Sequence, residues 1–333
     1  MPETSFKTDP LNSRTEELQP IFIGGTGRSG TTILANILQC HSKIFGLQQA
    51  SSGSMEGRFI TSANGLLPTL LSDSPVEKIK IFEEQFLGKW YREETFKGNG
   101  EPTHIGLSRY ISDIAPLEKL TTALKKKIQG TESTEDRLQA GKRFIEEVFV
   151  LAASTSKVSR IVEKTPANIL YIPELTSMFP KSKFIHIYRD GRDVAASILE
   201  KEFWPIWGST KKGTEFAAER FSITEAARYW QTFLSLARTD GAKMPPDRYL
   251  ELSLEELLAG PEEKIRQILE FIGEDFEPEL LRIKLNKGNV QRWRTAFSED
   301  EKALFNDKAG DLLIELGYEL DDSWQNDSHS KSV

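Results

Sequence analysis

The sequence predicts an α/β fold in which helices cover both faces of a parallel sheet. An apolar run, PIFI (residues 20–23), is followed by a glycine-rich stretch and then by the helical pattern ILANILQC. From residue 160 onward, short strand-like runs alternate with helical runs, which is typical of a parallel sheet built from βαβ units. Between these two parts, residues 76–157 space their apolar side chains at three or four positions, and this spacing predicts a helical insertion.

Each element is predicted from its own local pattern. The first strand is the apolar run at residues 20–23, and the helix after it repeats apolar residues with helical spacing. Residues 46–65 are rich in Gly, Ser and Asn and have no period, so a loop is predicted there. After the insertion the predicted elements are RIVEKTP (strand), NILYIPELTSMF (helix), KFIHIYR (strand), GRDVAASILEKEF (helix), residues 215–238 (helix), RYLELSL (strand) and LEELLAGPEEKIRQILEFIG (two helices).

Length and composition indicate a single domain between two polar ends. The chain has 333 residues, of which 38% are hydrophobic and 28% charged, as is usual for globular proteins with a substantial core. Residues 1–19 and 321–333 are predicted to be flexible tails, so the domain spans residues 20–320. No run approaches the roughly 18 apolar residues of a membrane-spanning helix, and the start of the sequence has no apolar signal segment. A cytoplasmic location without a membrane span is therefore expected.

Charge and metal-ligating residues argue against two classes of site. Lys and Arg number 43 against 50 Asp and Glu, and the resulting net charge of −7 gives no indication of a nucleic-acid partner. The four histidines are scattered without a ligand spacing, and Cys40 is the single cysteine. We therefore predict no metal site and no internal disulfide. The sequence gives no indication of the oligomeric state.

The stretch GGTGRSGTT (Gly24–Thr32) predicts an anion cradle. Because it lies between a strand and a helix, its backbone N–H groups and the positive end of the helix can surround a phosphate. The glycine spacing matches the P-loop pattern G-x-x-x-x-G-K-[ST], but Thr31 stands where nucleoside triphosphatases have a lysine. The loop carries Arg28 instead. The sheet is therefore predicted to be P-loop-like, with an anion other than a magnesium-bound triphosphate.

Basic residues follow two further predicted strands. The segment RDGRD brings Arg189 and Arg192 to the end of one strand, with Ser197 on the next helix, and VEKTP brings Lys164 to the end of another. In a parallel sheet these strand ends lie at the edge that also carries the glycine-rich loop, where ligands of α/β sheets bind. Each segment by itself also fits a structural role. In RDGRD, the two aspartates would then be local salt-bridge partners of the two arginines.

Taken together, these segments resemble the sulfotransferases that use 3′-phosphoadenosine 5′-phosphosulfate (PAPS), over about residues 20–318. The resemblance implies that the glycine-rich loop holds the 5′-phosphosulfate and that Arg189 and Ser197 bind the 3′-phosphate. The later segment NKGNVQRWRTAFS is similar to the family's K-G-x-x-x-x-W-[KR] segment, which implies that Lys287 and Gly288 close over the 3′-phosphate. The implied cofactor-binding residues are Gly27, Arg28, Ser29, Gly30, Thr31, Thr32, Arg189, Ser197, Lys287 and Gly288.

The resemblance also implies the reaction, which is sulfuryl transfer to a hydroxyl, or as second choice an amine, of a small-molecule, glycan or lipid acceptor. Lys164 and Arg28 would stabilise charge on the transferring group. Pro166 occupies the position of the histidine base of small-molecule members, and Gln48 that of the glutamate of glycan and tyrosine members. The segment MEGRF resembles the E-x-x-F arrangement of bacterial members and nominates Glu56 as the general base. The alternative for Glu56 is an ordinary loop carboxylate.

Two other functions are open on the sequence alone. A degenerate P-loop kinase or nucleoside triphosphatase needs a lysine at Thr31 and a Walker-type aspartate, and the sequence has neither. A catalytically inactive nucleotide-binding module is the second alternative, against which the retained Lys164 argues. Trp293 either stacks on the adenine or belongs to the core. His186 is predicted to be buried, because strand alternation sets it on one face with Phe184.

Overall fold

The computed structural model describes residues 19–47, 58–92, 94–96, 102–104, 106–156, 158, 160–200, 221–285 and 290–326. The strands are β1 (Gln19–Gly24), β2 (Ile44–Gly46), β3 (Glu94–Phe96), β4 (Pro102–His104), β5 (Arg160–Lys164), β6 (Lys183–Tyr188) and β7 (Tyr249–Ser253). Five of them form one sheet in the order β2-β5-β1-β6-β7, and β3 pairs with β4 in a separate antiparallel ribbon.

Parallel pairing defines the larger sheet. Ile44 of β2 lies opposite Arg160 of β5, and Tyr188 of β6 lies opposite Ser253 of β7, in both cases with parallel strands. After Gln19 the middle strand β1 has no polar side chain, and Ile21 and Phe22 have no exposed surface, as expected of a strand covered on both faces. The predicted α/β fold with a parallel sheet is confirmed.

Helices connect and flank these strands. They are α1 (Thr31–Leu38), α2 (Arg58–Thr61), α3 (Leu66–Leu70), α4 (Pro75–Glu84), α5 (Ala115–Gln129), α6 (Thr134–Ala152), α7 (Ile172–Met178), α8 (Gly191–Leu199), α9 (Ile223–Gly241), α10 (Leu254–Ala259), α11 (Pro261–Ile272), α12 (Trp293–Ala296) and α13 (Glu299–Glu315). A π-helical segment, Gln85–Trp90, follows α4. Short 3₁₀ helices lie at Leu107–Arg109, Pro166–Leu170, Pro278–Arg282 and Asp322–Asn326.

The described residues divide into two compact units. The first unit comprises the described residues within Met1–Phe22, Leu38–Glu163 and Glu174–Lys183. The second unit comprises the described residues within Ile23–Ile37, Lys164–Pro173 and Phe184–Val333. The prediction of a single domain over residues 20–320 stays a prediction. Four phenylalanines, Phe59, Phe82, Phe86 and Phe144, pack ring against ring in the core of the first unit. In the second unit, α9 packs against α8 and α13 around the buried Trp230 and Phe305.

Three predicted boundaries are wrong, and each error has a local cause. The segment predicted as a loop contains the helix α2, in which Phe59 and Ile60 are buried. The helix has only four residues, which is too few for a helical period to be visible in the sequence. The insertion at residues 76–157 is not wholly helical, since it includes the ribbon of β3 and β4, whose strands have three residues each. The helix predicted from residue 215 begins at Ile223 in the described part of the chain, because Ser222 and Glu225 form a capping box there.

The predicted flexible tail at residues 321–333 is also wrong in its first part. Residues 322–326 form a 3₁₀ helix, and Trp324 is only 2% exposed. Its indole ring packs edge-on against Trp293, with 5.3 Å between ring centroids, and its Nε1 donates to Asn306 Oδ1 at 2.9 Å. A segment of mostly polar sequence can thus adopt a fixed structure when one large aromatic side chain, here Trp324, is buried in the core. Residues 1–18 and 327–333 lie outside the described residues.

No helix among the described residues is long and apolar enough to cross a membrane. Within the same residues, His, Cys, Asp and Glu side chains form no group of three that could hold a metal ion.

Candidate functional site

The turn between β1 and α1 contains two residues with left-handed backbone. Arg28 has φ 73° and Gly30 has φ 92°. Glycine adopts this conformation freely, whereas for arginine it costs on the order of 1–2 kcal/mol. The turn is held by a 2.5 Å contact between the Thr26 and Ser29 hydroxyls and by the Ser29 N–H, which donates to the Thr26 carbonyl at 3.2 Å. Backbone strain of this kind is characteristic of ligand-binding turns.

Gly25 is pressed against the end of β6. A Cβ added at Gly25 would lie 2.2 Å from the carbonyl oxygen of Ile187. The Gly25 N–H donates to the carbonyl of Pro166 at 3.2 Å, which ties the turn to the segment that follows β5. The neighbouring Gly27 N–H donates to the hydroxyl of Tyr229 at 2.7 Å, so an anion bound at this amide has to displace that hydroxyl.

Gly25→Ala is expected to destabilise the protein by about 1–3 kcal/mol, because the atom that the new methyl group meets is backbone and cannot rotate away. Urea unfolding measures this change in free energy. Gly88→Ala is the matched control, since an added Cβ at Gly88 has no neighbour within 4 Å. Its stability should equal or slightly exceed that of the parent chain. Equal stability of the two variants would show that the close approach of Gly25 to β6 is unimportant.

Three of the predicted site residues come together beside this turn. The Nε of Arg28 donates to the Ser197 hydroxyl at 2.8 Å, and Arg189 Nη1 donates to the carbonyl oxygen of Arg28 at 3.2 Å. Arg189 and Ser197 are nearly buried, at 5% and 3% exposure, whereas Arg28 is exposed. Two guanidinium groups and one hydroxyl therefore converge at the start of α1.

The electrostatic environment of this cluster is positive. Partial desolvation of the guanidinium lowers the pKa of Arg28, the positive charges of Arg189 and Arg292 lower it further, and Glu200 acts in the opposite direction. Like charges held this close repel one another, and an anion bound among them relieves the repulsion. The cluster is therefore suited to a ligand with more than one negative charge.

Asp193 connects this cluster to a distant segment of the chain. Its Oδ2 lies 3.3 Å from Arg189 Nη2 and accepts the Gln291 N–H at 2.8 Å, while Oδ1 accepts the Trp293 N–H at 3.1 Å. Burial raises the pKa of the Asp193 carboxyl, against the opposing effect of Arg189. Gln291 has φ 62°, so the backbone makes a tight left-handed turn where it meets Asp193. One carboxylate thus positions both Arg189 and residues 291–293.

Arg192, the second arginine of RDGRD, has a structural environment. It is 2% exposed, and its guanidinium carbon lies 3.9 Å from the ring centroid of Trp293 and 4.6 Å from that of Trp324. Burial acts to lower the pKa of Arg192, but hydrogen bonds and ion pairs with Asp190 and Glu319 outweigh it and raise the pKa. Trp293 is 1% exposed. Of its two predicted roles, the structure therefore favours the core over adenine stacking.

Sequence comparison identifies the class of protein to which this site belongs. A sequence model of the sulfotransferase family matches residues 20–278. The chain belongs to the sulfotransferase family. This confirms the resemblance that the loop, RDGRD and VEKTP segments indicated.

Individual relatives of this sulfotransferase are distant. The omega-hydroxy-beta-dihydromenaquinone-9 sulfotransferase of Mycobacterium tuberculosis (strain CDC 1551 / Oshkosh) is 25% identical over 183 residues, which are 53% of this chain and 45% of that protein. A putative protein-tyrosine sulfotransferase of Caenorhabditis briggsae is 21% identical over 327 residues, 92% of this chain and 91% of that protein. The sulfotransferase domain from the curacin biosynthetic pathway has a TM-score of 0.53 at 17% identity and covers 91% of this chain and 98% of that chain. That likeness supports the fold.

The remaining predicted site residues of this sulfotransferase have different surroundings. Lys164, the last residue of β5, has no exposed surface. Ser29 and Thr31 are buried, and Thr32 is half-buried. Glu56, Lys287 and Gly288 lie outside the described residues.

Sequence reasoning missed two residues that border the cluster. The structural alternative for RDGRD makes Asp193 a local salt-bridge partner, but its carboxylate also binds backbone N–H groups 98 and 100 residues away. Arg292 was not singled out, although it contributes to the positive environment of Arg28. A single sequence carries no signal for contacts across such separations. The basic pair that flanks Trp293 in QRWR was the one available indication.

Proposed function

We propose that this sulfotransferase moves a sulfuryl group from PAPS to a hydroxyl, or as second choice an amine, of a small-molecule, glycan or lipid acceptor. The observation that carries the proposal is the convergence of Arg28, Arg189 and Ser197 beside the turn after β1. Guanidinium groups and a hydroxyl form charge-assisted hydrogen bonds with phosphate, which suits Arg189 and Ser197 to the 3′-phosphate of PAPS and Arg28 to its 5′-phosphosulfate. Family membership supports the same reaction.

The turn itself fits a phosphosulfate better than a triphosphate. Thr31 stands in the lysine position of the P-loop pattern and is 4% exposed, so this position offers no cation to a γ-phosphate. A phosphosulfate linkage carries less charge and needs no bridging Mg²⁺. The amides of residues 27–32 and the Arg28 side chain are the groups that would hold it.

PAPS supplies an electrophilic sulfur atom and a phosphate leaving group when it binds. Arg28 and Lys164 would stabilise the negative charge that develops on the transferring group. Because Lys164 has no exposed surface, its side chain has to turn toward the ligand to do so. Glu56 would take up the proton of the acceptor on a carboxylate oxygen, and Lys287 and Gly288 would close over the 3′-phosphate.

The names of two relatives support a hydroxyl acceptor. One denotes transfer to an omega-hydroxy group and the other to protein tyrosine, which also offers a hydroxyl. The kinase and inactive-module alternatives find no support in the comparisons. Release of adenosine 3′,5′-bisphosphate from PAPS during turnover would distinguish an active enzyme from an inactive module. We also propose a cytoplasmic location, on the composition and the single cysteine.

Adenosine 3′,5′-bisphosphate is expected to raise the melting temperature far more than ATP with Mg²⁺ does. The bisphosphate offers the 3′-phosphate that Arg189 and Ser197 are proposed to bind. ATP has no 3′-phosphate, and it brings negative charge to a turn in which Thr31 stands in place of the P-loop lysine. At about one hundred times its dissociation constant, a ligand stabilises the folded state by roughly 2.7 kcal/mol. Differential scanning fluorimetry with both nucleotides measures the difference. Equal stabilisation by ATP with Mg²⁺ would remove the basis for PAPS as the donor.

A further inference from the structure

Arg292 lies next to the proposed 3′-phosphate site, at one of the unspecified positions of the segment similar to K-G-x-x-x-x-W-[KR]. It is half-buried, and its Nη2 forms an ion pair with Oε1 of Glu200. Its backbone is held in place, because the N–H groups of the residues on both sides, Gln291 and Trp293, bind the carboxylate of Asp193. The start of the Arg292 side chain is therefore fixed beside the same aspartate that contacts Arg189.

The two anchors of Arg292 lie on either side of Ser197 along α8. Asp193 is four residues before Ser197 and Glu200 three residues after it, so the three share one face of the helix. The Arg292 side chain starts beside Asp193 and ends at Glu200, so both of its ends lie on the helix face that carries Ser197. That hydroxyl already accepts a hydrogen bond from Arg28. The positive charge of Arg292 also acts on Arg28, which agrees with this path.

We propose that Arg292 is a second guanidinium, beside that of Arg189, for the 3′-phosphate and that it exchanges Glu200 for the phosphate when the nucleotide binds. This inference rests on the proposed binding of PAPS. Glu200 is exposed, and its carboxylate competes with the ligand for the same guanidinium. Surface ion pairs contribute little to stability, so a doubly charged phosphate replaces Glu200 at small cost. Arg292 would then favour nucleotides that carry a 3′-phosphate over those that lack one.

Arg292→Gln tests the first half of this proposal. The glutamine keeps most of the length of the side chain and removes its charge, so affinity for adenosine 3′,5′-bisphosphate should fall about tenfold or more. Affinity for adenosine 5′-monophosphate, which lacks the 3′-phosphate, should change less than about twofold. Isothermal titration calorimetry measures both. The matched control is Arg282→Gln, because Arg282 also pairs with a single carboxylate, Glu279, but its side chain is 74% exposed, and the change should leave both affinities unchanged.

Glu200→Gln tests the exchange itself. If the carboxylate competes with the phosphate, its removal should strengthen bisphosphate binding several-fold, which is the opposite sign to Arg292→Gln. If the ion pair between Arg292 and Glu200 only holds the segment in place, Arg292→Gln and Glu200→Gln should both weaken bisphosphate binding. That result would overturn the proposed exchange of partners. Arg292→Lys keeps the charge and should retain most of the preference for the bisphosphate, so a folding defect in Arg292→Gln can be recognised.

Arg189→Ala separates failure of this inference from failure of the proposed function. One possible result is that the parent chain prefers the bisphosphate, that Arg189→Ala abolishes this preference and that Arg292→Gln preserves it. In that case only the proposed role of Arg292 is wrong. If the parent chain binds the bisphosphate no better than adenosine 5′-monophosphate, both the donor proposal and the role of Arg292 are wrong. Loss of the preference in Arg292→Gln, with its retention in Arg282→Gln, supports the inference.

Discussion

Glu56→Gln is expected to lower the rate of sulfuryl transfer by about 10²–10⁴ and to leave nucleotide affinity nearly unchanged. Glutamine preserves the size and hydrogen-bonding capacity of the side chain but cannot accept a proton, so the loss measures general-base catalysis. The rate is measured as adenosine 3′,5′-bisphosphate released from PAPS, with a phenol such as 4-nitrophenol as acceptor. Calorimetric binding of the bisphosphate to the variant checks that the nucleotide site is intact.

Two other residues compete with Glu56 for this role and provide the controls. His186 is fully buried, with Nδ1 2.8 Å from the Tyr249 hydroxyl and 3.1 Å from Glu251 Oε2, which confirms the predicted burial. Glu163 is also fully buried, next to Lys164 in β5. His186→Asn and Glu163→Gln should therefore keep most of the turnover of the folded enzyme. Near-normal turnover in Glu56→Gln, with collapse in one of these two, would transfer the role to that residue.

Arg192→Met is expected to destabilise the protein by about 3–5 kcal/mol. The change keeps a long side chain against the rings of Trp293 and Trp324 but leaves Asp190 and Glu319 without their buried cation. Loss of one partner from a buried ion pair costs this much because the remaining charge is uncompensated. Urea unfolding followed by tryptophan fluorescence measures the loss.

Arg266→Met is the matched control for the buried arginine. Arg266 also combines a carboxylate partner, Glu262, with an aromatic ring, Phe276, whose centroid lies 3.7 Å from the guanidinium carbon. Its side chain is 53% exposed, so water can solvate the Glu262 carboxylate when the substitution removes the guanidinium. The expected loss is below about 1 kcal/mol. Similar losses for the two arginines would mean that burial is not what makes Arg192 important.

Local sequence patterns predicted the parts of the fold that depend on near neighbours. The apolar run of β1, the glycine-rich turn and the first turn of α8 follow from residues within a few positions of one another. Asp190, for example, caps α8 by accepting the N–H of Arg192. The ribbon of β3 and β4 was missed because strands of three residues show no period. The tail prediction is wrong for residues 322–326 because the burial of Trp324 depends on Trp293 and Arg192.

By itself, the sequence determined the α/β fold and the family, and it nominated the residues of the candidate anion site, because periodicity and motif spacing are local properties. Tertiary structure alone decided which of these residues meet. It joined Arg28 to Ser197 and Asp193 to residues 291–293, and it separated Arg189 at the cluster from Arg192 in the core. Hydrogen bonds and burial between segments far apart in the chain depend on how the strands and helices pack, and local patterns in a single sequence do not show that packing.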